Sequence, residues 1–183
     1  SKAIAIALKV KGKVEVTRDG KTSKLKFGTP LNHGDMVQTL KGGFVSIMFT
    51  DDKSLIKLTE FSEVIIEGTR SMDGTVAKRI SMEIGELFAK VEKQKGSLEV
   101  ATPTSVASVK GTQFWIIVLE DGTTQALTIE GLVELMNRMN GQIVEVRQAQ
   151  QGEVDDQGNM VVEDVPVDEL QGDPDPEIGR ASC

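Results

Sequence analysis

The strongest constraint on this chain is a period of two. Residues 3–10 read AIAIALKV, with Ile4, Ile6, Leu8 and Val10 on one side and Ala3, Ala5, Ala7 and Lys9 on the other. Strict alternation puts successive side chains on opposite faces, which describes a strand and not a helix. Gly12 breaks the run and Val14 and Val16 resume it. The pattern recurs along the chain, cut by Asp19-Gly20, Gly42-Gly43, Asp51-Asp52-Lys53, Asp73-Gly74, Asp121-Gly122 and Asn140-Gly141. Such pairs adopt the left-handed turns that join antiparallel strands. By Gln151 about a dozen short strands are implied, at the roughly 8–12-residue spacing of sandwiches, rolls and solenoids.

Within this pattern Phe44, Ile47, Phe49, Leu55, Leu58, Val64 and Ile66 are core candidates. Residues 76–93 predict two short strands kinked at Gly85, because apolar alternation changes phase at that glycine. The densest β-forming run is QFWIIV (113–118). Phe114, Ile116 and Val118 alternate there with Trp115 and Ile117, so both faces are apolar and the strand is expected to be covered on both sides. Trp115 then belongs either to the core or to a binding face. The segments GKVEV (12–16) and GLVEL (131–135) echo each other, as winding would produce. The expected fold is all-β: many short strands in an elongated β-sandwich or β-roll with solenoid-like winding, plus an extended C-terminal tail. Residues 1–10 read as an N-terminal strand able to add to a partner, 11–154 as the body, and 155–183 as an acidic extended tail.

Charge is unevenly spread. The net charge is −7, yet from Gly152 onward ten acidic residues stand against Arg180 alone. The first 27 residues lean the other way, with eight Lys and Arg against Glu15 and Asp19. Nucleic-acid binding needs a concentrated basic face, which this distribution does not supply. No apolar run approaches the ~18 residues of a membrane helix. The start at Ser1, without Met, fits a mature chain freed of a signal peptide.

Catalytic chemistry has few residues to use. His33 is the only His and sits in a turn-rich loop; Cys183 is the only Cys. A nucleophile–His–acid set, an internal disulfide and a zinc site are therefore not expected, and no cofactor is implied. Asp155 and Asp156 sit in a segment faintly like a calcium loop but lacking its first carboxylate, and Asp173 and Asp175 flank Pro174. These four are weak calcium candidates beside a plain reading as a turn and a stiff acidic linker.

The order of motifs carries a resemblance. The chain reads GKVEV, TPLNHGDMVQT, GGFVSIMFTDDKSLIKLTEFSEVII, IGELFAKV, then EVATPTSVASVKGTQFWIIVLEDGTTQALTIEGLVELMN and VEVRQAQQGEV. Over roughly residues 10–154 this resembles the FecR domain family, with Thr102, Pro103, Gly111, Thr112, Phe114, Trp115 and Gly131 as motif residues. Asp51-Asp52-Lys53-Ser54 stands where the family has DGS, and Lys110 where Arg is common; both are expected to serve exposed turns. The best-known members of the family resemble regulators with a cytoplasmic anti-sigma segment, one transmembrane helix and a periplasmic FecR domain. The chain shows neither of the first two, so what the resemblance implies is an extracytoplasmic, all-β, protein-binding domain without enzymatic function.

Two partners are open. One is the chain itself: a self-assembling fibre or surface-layer subunit joined head to tail through Ile4, Ile6, Leu8 and Val10 at one end and Val161, Val162, Val165 and Cys183 at the other, with β-strand addition as the physical means. The alternative is a periplasmic sensor or adaptor binding a separate envelope protein in FecR-like signalling. Neither reading involves nucleic acid or membrane insertion.

Overall fold

The computed structural model describes residues 2–91 and 97–175. The chain winds back and forth between two sheets. Strand β1 (Ala3–Lys11) lies in the first sheet, and β2 (Val14–Arg18) and β3 (Lys21–Lys24) lie in the second. Then β4 (Pro30–Asn32) returns to the first, β5 (Met36–Thr39) to the second, and β6 (Phe44–Phe49) with β7 (Leu55–Leu58) to the first. Strand β8 (Glu63–Arg70) is in the second sheet and β9 (Val76–Lys90) runs through both. The rest is hairpin over hairpin. Strands β10 (Leu98–Ala101) and β11 (Ser105–Val109) are in the second sheet, and β12 (Gln113–Val118) and β13 (Thr124–Glu130) in the first. The second sheet then takes β14 (Leu132–Asn137) and β15 (Ile143–Arg147), and the first takes β16 (Gln150–Val154) and β17 (Met160–Asp164).

In the first sheet the order is β4, β1, β6, β7, β9, β12, β13, β16, β17. In the second it is β3, β2, β5, β8, β9, β10, β11, β14, β15. Neighbours are antiparallel except β9 and β10. The inward residues of both sheets, among them Ile47, Phe49, Leu58, Ile66, Ile80, Phe114, Ile116, Val133 and Leu135, form one apolar cluster. The protein is thus the expected all-β sandwich with solenoid-like winding. No helix among the described residues is long and apolar enough to cross a membrane.

Glycine corners carry the chain between sheets. Up to Ile84, β9 pairs with β8; from Gly85 it pairs with β12 and β7. Gly85 has φ 115°, and a Cβ there would collide with Ser62, whose hydroxyl accepts the Glu86 N–H at 2.9 Å. Residues 76–90 are therefore one bent strand and not the two short ones expected, because ladder bonds continue through the bend on changed partners. The echo between GKVEV and GLVEL has the same origin. Gly12 and Gly131 both take positive φ where the chain passes from the first sheet to the second.

The first strand also departs from expectation. Expected as a segment able to add to a partner, it lies between β4 and β6 of its own chain and pairs with both. Its partners come from residues 30–49, beyond the reach of a local pattern. Its Ala face, not its large face, is the more buried: Ala5 and Ala7 join Ile4 in the core, whereas Leu8 is 41% exposed and Ile6 and Val10 are half-buried. The register shift between Ala7 and Lys9 breaks the simple alternation. The C-terminal region, read as an extended tail, contains β17, which pairs with β16.

Candidate functional site

Alternation along β12 sends Phe114 and Ile116 into the core and Trp115 out of the opposite face. Trp115 stands in a row that crosses the first sheet at one register. Lys9 is opposite Ser46, Ser46 opposite Lys57, Lys57 opposite Phe88, Phe88 opposite Trp115, Trp115 opposite Leu127, and Leu127 opposite Gln151. One residue per strand thus gives a transverse strip, cationic at the β1 end and apolar at its centre. Phe88 and Trp115 meet edge to face, with centroids 5.4 Å apart and planes at 61°.

The segment after β17 lies along this strip. Val165 donates its N–H to Ala149 O at 2.8 Å, and Val165 and Leu170 pack on the Phe88, Trp115 and Leu127 cluster. A 3-10 turn at Val167–Glu169 follows. The Trp115 indole N–H donates to Gln171 O at 2.9 Å, leaving Trp115 1% exposed. Lys57 Nζ contacts Asp173 Oδ2 at 2.8 Å and Asp175 Oδ2 at 3.6 Å; Lys9 Nζ meets Asp175 Oδ1 at 2.7 Å. We call residues 165–175 the strap. Both faces of β12 are therefore covered, the outer one by the chain's own tail.

This geometry places the remaining candidates. The carboxylates of Asp173 and Asp175 face ammonium groups. Asp155 caps its own turn, accepting the N–H groups of Gln157 and Asn159 and the Asn159 amide. The Asn159 contacts hold its carboxyl below the usual range. Asp156 is exposed. Among the described residues no group of three His, Cys, Asp or Glu is placed to hold a metal ion. Val161 and Val162 lie in β17 opposite Glu153 and Gly152, and Val165 is seated in the strap; Cys183 lies outside the described residues. His33 accepts the Gly68 N–H through Nδ1 at 3.1 Å.

The motif residues knit turns together. Thr102 shares a hydroxyl contact of 2.6 Å with Thr124 and accepts the Ser105 N–H at 3.0 Å, while Arg138 donates to Thr102 O at 2.7 Å. Pro103 is exposed beside Gly122. Thr112 Oγ1 donates to Leu132 O at 3.0 Å, and a Cβ at Gly131 would lie 2.8 Å from Gly111 O. Phe114 is in the core.

Two ionic clusters escape a linear reading. The turn at Asp51-Asp52, expected to be exposed, buries its carboxylates: the side chains are 2% and 4% exposed and sit 2.9 and 3.0 Å from Lys78 Nζ, itself 0% exposed. The signal was the pair of adjacent acids where one is usual; their partner lies 26–27 residues away on β9. Burial pushes the Asp52 carboxyl up, but the Ser54 N–H and Lys78 outweigh it and leave it below its ordinary value. Arg18 makes a two-pronged contact with buried Asp35, at 2.9 and 2.6 Å, which raises the guanidinium further.

A second surface lies at the Gly85 corner. A cleft of about 460 Å³ is lined by Phe61, Ile84, Ile117 and Leu119, with Glu60, Glu86 and Glu120 also bordering it. Phe61 is 58% exposed and has φ 60°, a left-handed conformation unfavourable for a bulky residue.

Among the curated proteins no relative matches the chain. A crystal structure of a proposed anti-sigma factor from Parabacteroides distasonis superposes with a TM-score of 0.62 at 15% identity, covering 73% of this chain and 61% of that one. A second such structure from that organism gives a TM-score of 0.47 at 18% identity, covering 75% and 59%. The chain thus spans about three fifths of the length of these proteins. The FecR protein family profile matches residues 35–134, more than half of the 183 residues, and the chain belongs to that family.

Proposed function

We propose that this protein is a non-enzymatic, extracytoplasmic interaction domain that binds a separate envelope protein in FecR-type signalling. The carrying observation is Phe61. A large aromatic side chain is held in a strained conformation, exposed, at the rim of an apolar cleft. Strain of this kind costs of order 1–3 kcal/mol and persists where the surroundings or a function require it. An exposed aromatic beside a concave apolar surface is the anchor chemistry of protein–protein interfaces. Family membership supports the reading.

Self-assembly through the chain ends has less support. Both terminal segments are used within the chain: β1 is paired on both sides, and the strap is seated on its own sheet. The test is crosslinked capture from envelope extracts with wild type and Phe61→Gly. Glycine suits the left-handed position, so the variant is expected to stay folded and to lose the captured protein. Undiminished capture by the variant rules out the cleft. Recovery of the bait alone rules out the envelope partner.

A further inference from the structure

The strap-covered row is separate from the Phe61 cleft, and the strap shows what chemistry fits it. The row presents, in order, Leu127, Trp115, Phe88, Lys57 and Lys9. The strap lays down in the same order apolar Val165 and Leu170, the Gln171 carbonyl, then Asp173 and Asp175. With Ser46 between Lys57 and Lys9, six strands contribute one side chain each, so the strip follows a segment running across the strands.

The strap meets this strip mainly through its side chains. Among the described residues, no main-chain group between Pro166 and Pro174 bonds to the backbone of the sheet; Val165 makes that contact at one end. Val167, at its middle, points to solvent with Asp168 and Glu169. A segment with so few backbone bonds opens locally at low cost. Lifting the strap would expose Trp115 and Phe88 to water and take Lys57 from its carboxylate partners, so covering the row is favourable. A loosely tied cover over a surface that favours covering is suited to exchange.

We infer that this row is a docking groove for an extended acidic–apolar segment of a partner protein, a Val/Leu pair followed by two carboxylates, and that the strap occupies it in cis until displaced. The inference shares with the proposed function only the premise that the partner is a protein. The strap supplies the probe: a fluorescent peptide of residues 165–175, VPVDELQGDPD. Against the full wild-type chain the tethered strap competes at about millimolar effective concentration, so binding is weak. In full-length Asp173→Asn/Asp175→Asn the strap loses its ionic anchors and the peptide is expected to bind about tenfold tighter or more; adding Lys57→Gln reverses the gain. A peptide carrying both Asn substitutions is expected to bind about tenfold more weakly, and added salt to weaken the parent peptide.

A second measurement uses full-length Val167→Cys/Cys183→Ser. Energy transfer from Trp115, the only Trp, to an acceptor on the new thiol at position 167, exposed at the middle of the strap, is expected to fall as excess peptide displaces the strap. Failure of the opened variant to bind, equal binding of the Asn peptide, or energy transfer unchanged at saturating peptide would overturn the groove. Each would leave the Phe61 capture experiment untouched, so the two readings fail separately.

Discussion

Replacing Lys78 by Met tests whether the buried ionic cluster holds the fold. Methionine keeps most of the stem volume packed near Phe49, where Lys78 Nζ now lies 5.6 Å from the ring centroid. What disappears is the charge between two carboxylates that have almost no access to water. Removing one partner of a buried pair typically costs about 3–5 kcal/mol, since the remaining charge stays desolvated. Here two carboxylates are stranded side by side, and Asp51 Oδ1 already has no hydrogen-bond partner, so the upper part of that range applies. Against a total stability of about 5–15 kcal/mol for a domain, this is a large fraction.

The assay is urea unfolding of wild type and Lys78→Met at neutral and acidic pH. The folded Asp52 carboxyl is held below its unfolded value, so its stabilisation is present above the unfolded pKa. It is lost as pH falls through the folded pKa. The wild type therefore loses stability on acidification, and the variant, lacking the cation, loses less. The gap between them should narrow. A neutral-pH difference below about 1 kcal/mol, or one that widens in acid, would refute the reasoning. Adding Asp51→Asn and Asp52→Asn to Lys78→Met should recover part of the loss.

Other outcomes follow from single contacts. Gly85→Ala places a Cβ against Ser62 at a left-handed corner and should destabilise by roughly 2 kcal/mol or more, measured by thermal unfolding. Trp115→Phe keeps an aromatic ring but removes the indole bond to Gln171 O; about 1 kcal/mol of strap anchoring is lost, and proteolysis within residues 165–175 should accelerate before the body is cut. Unchanged strap cleavage would show that the indole bond does not hold the segment.

Local chemistry was enough to read the strands. Alternation, turn glycines and the doubly apolar QFWIIV run depend on residues within a few positions of one another, and they identified an all-β sandwich and the FecR motifs. The corner at Gly85 was legible because a glycine interrupts an apolar period. Tertiary pairing decided the rest. The row from Lys9 through Lys57, Phe88 and Trp115 to Leu127 exists because strands far apart in sequence stack in one register, and register is set by which faces the two sheets bury. The burial of Asp51 and Asp52 likewise depends on where β9 delivers Lys78. The acidic tail showed its charge in sequence, but only the folded sheet supplied the lysines and the aromatic strip that hold it in place.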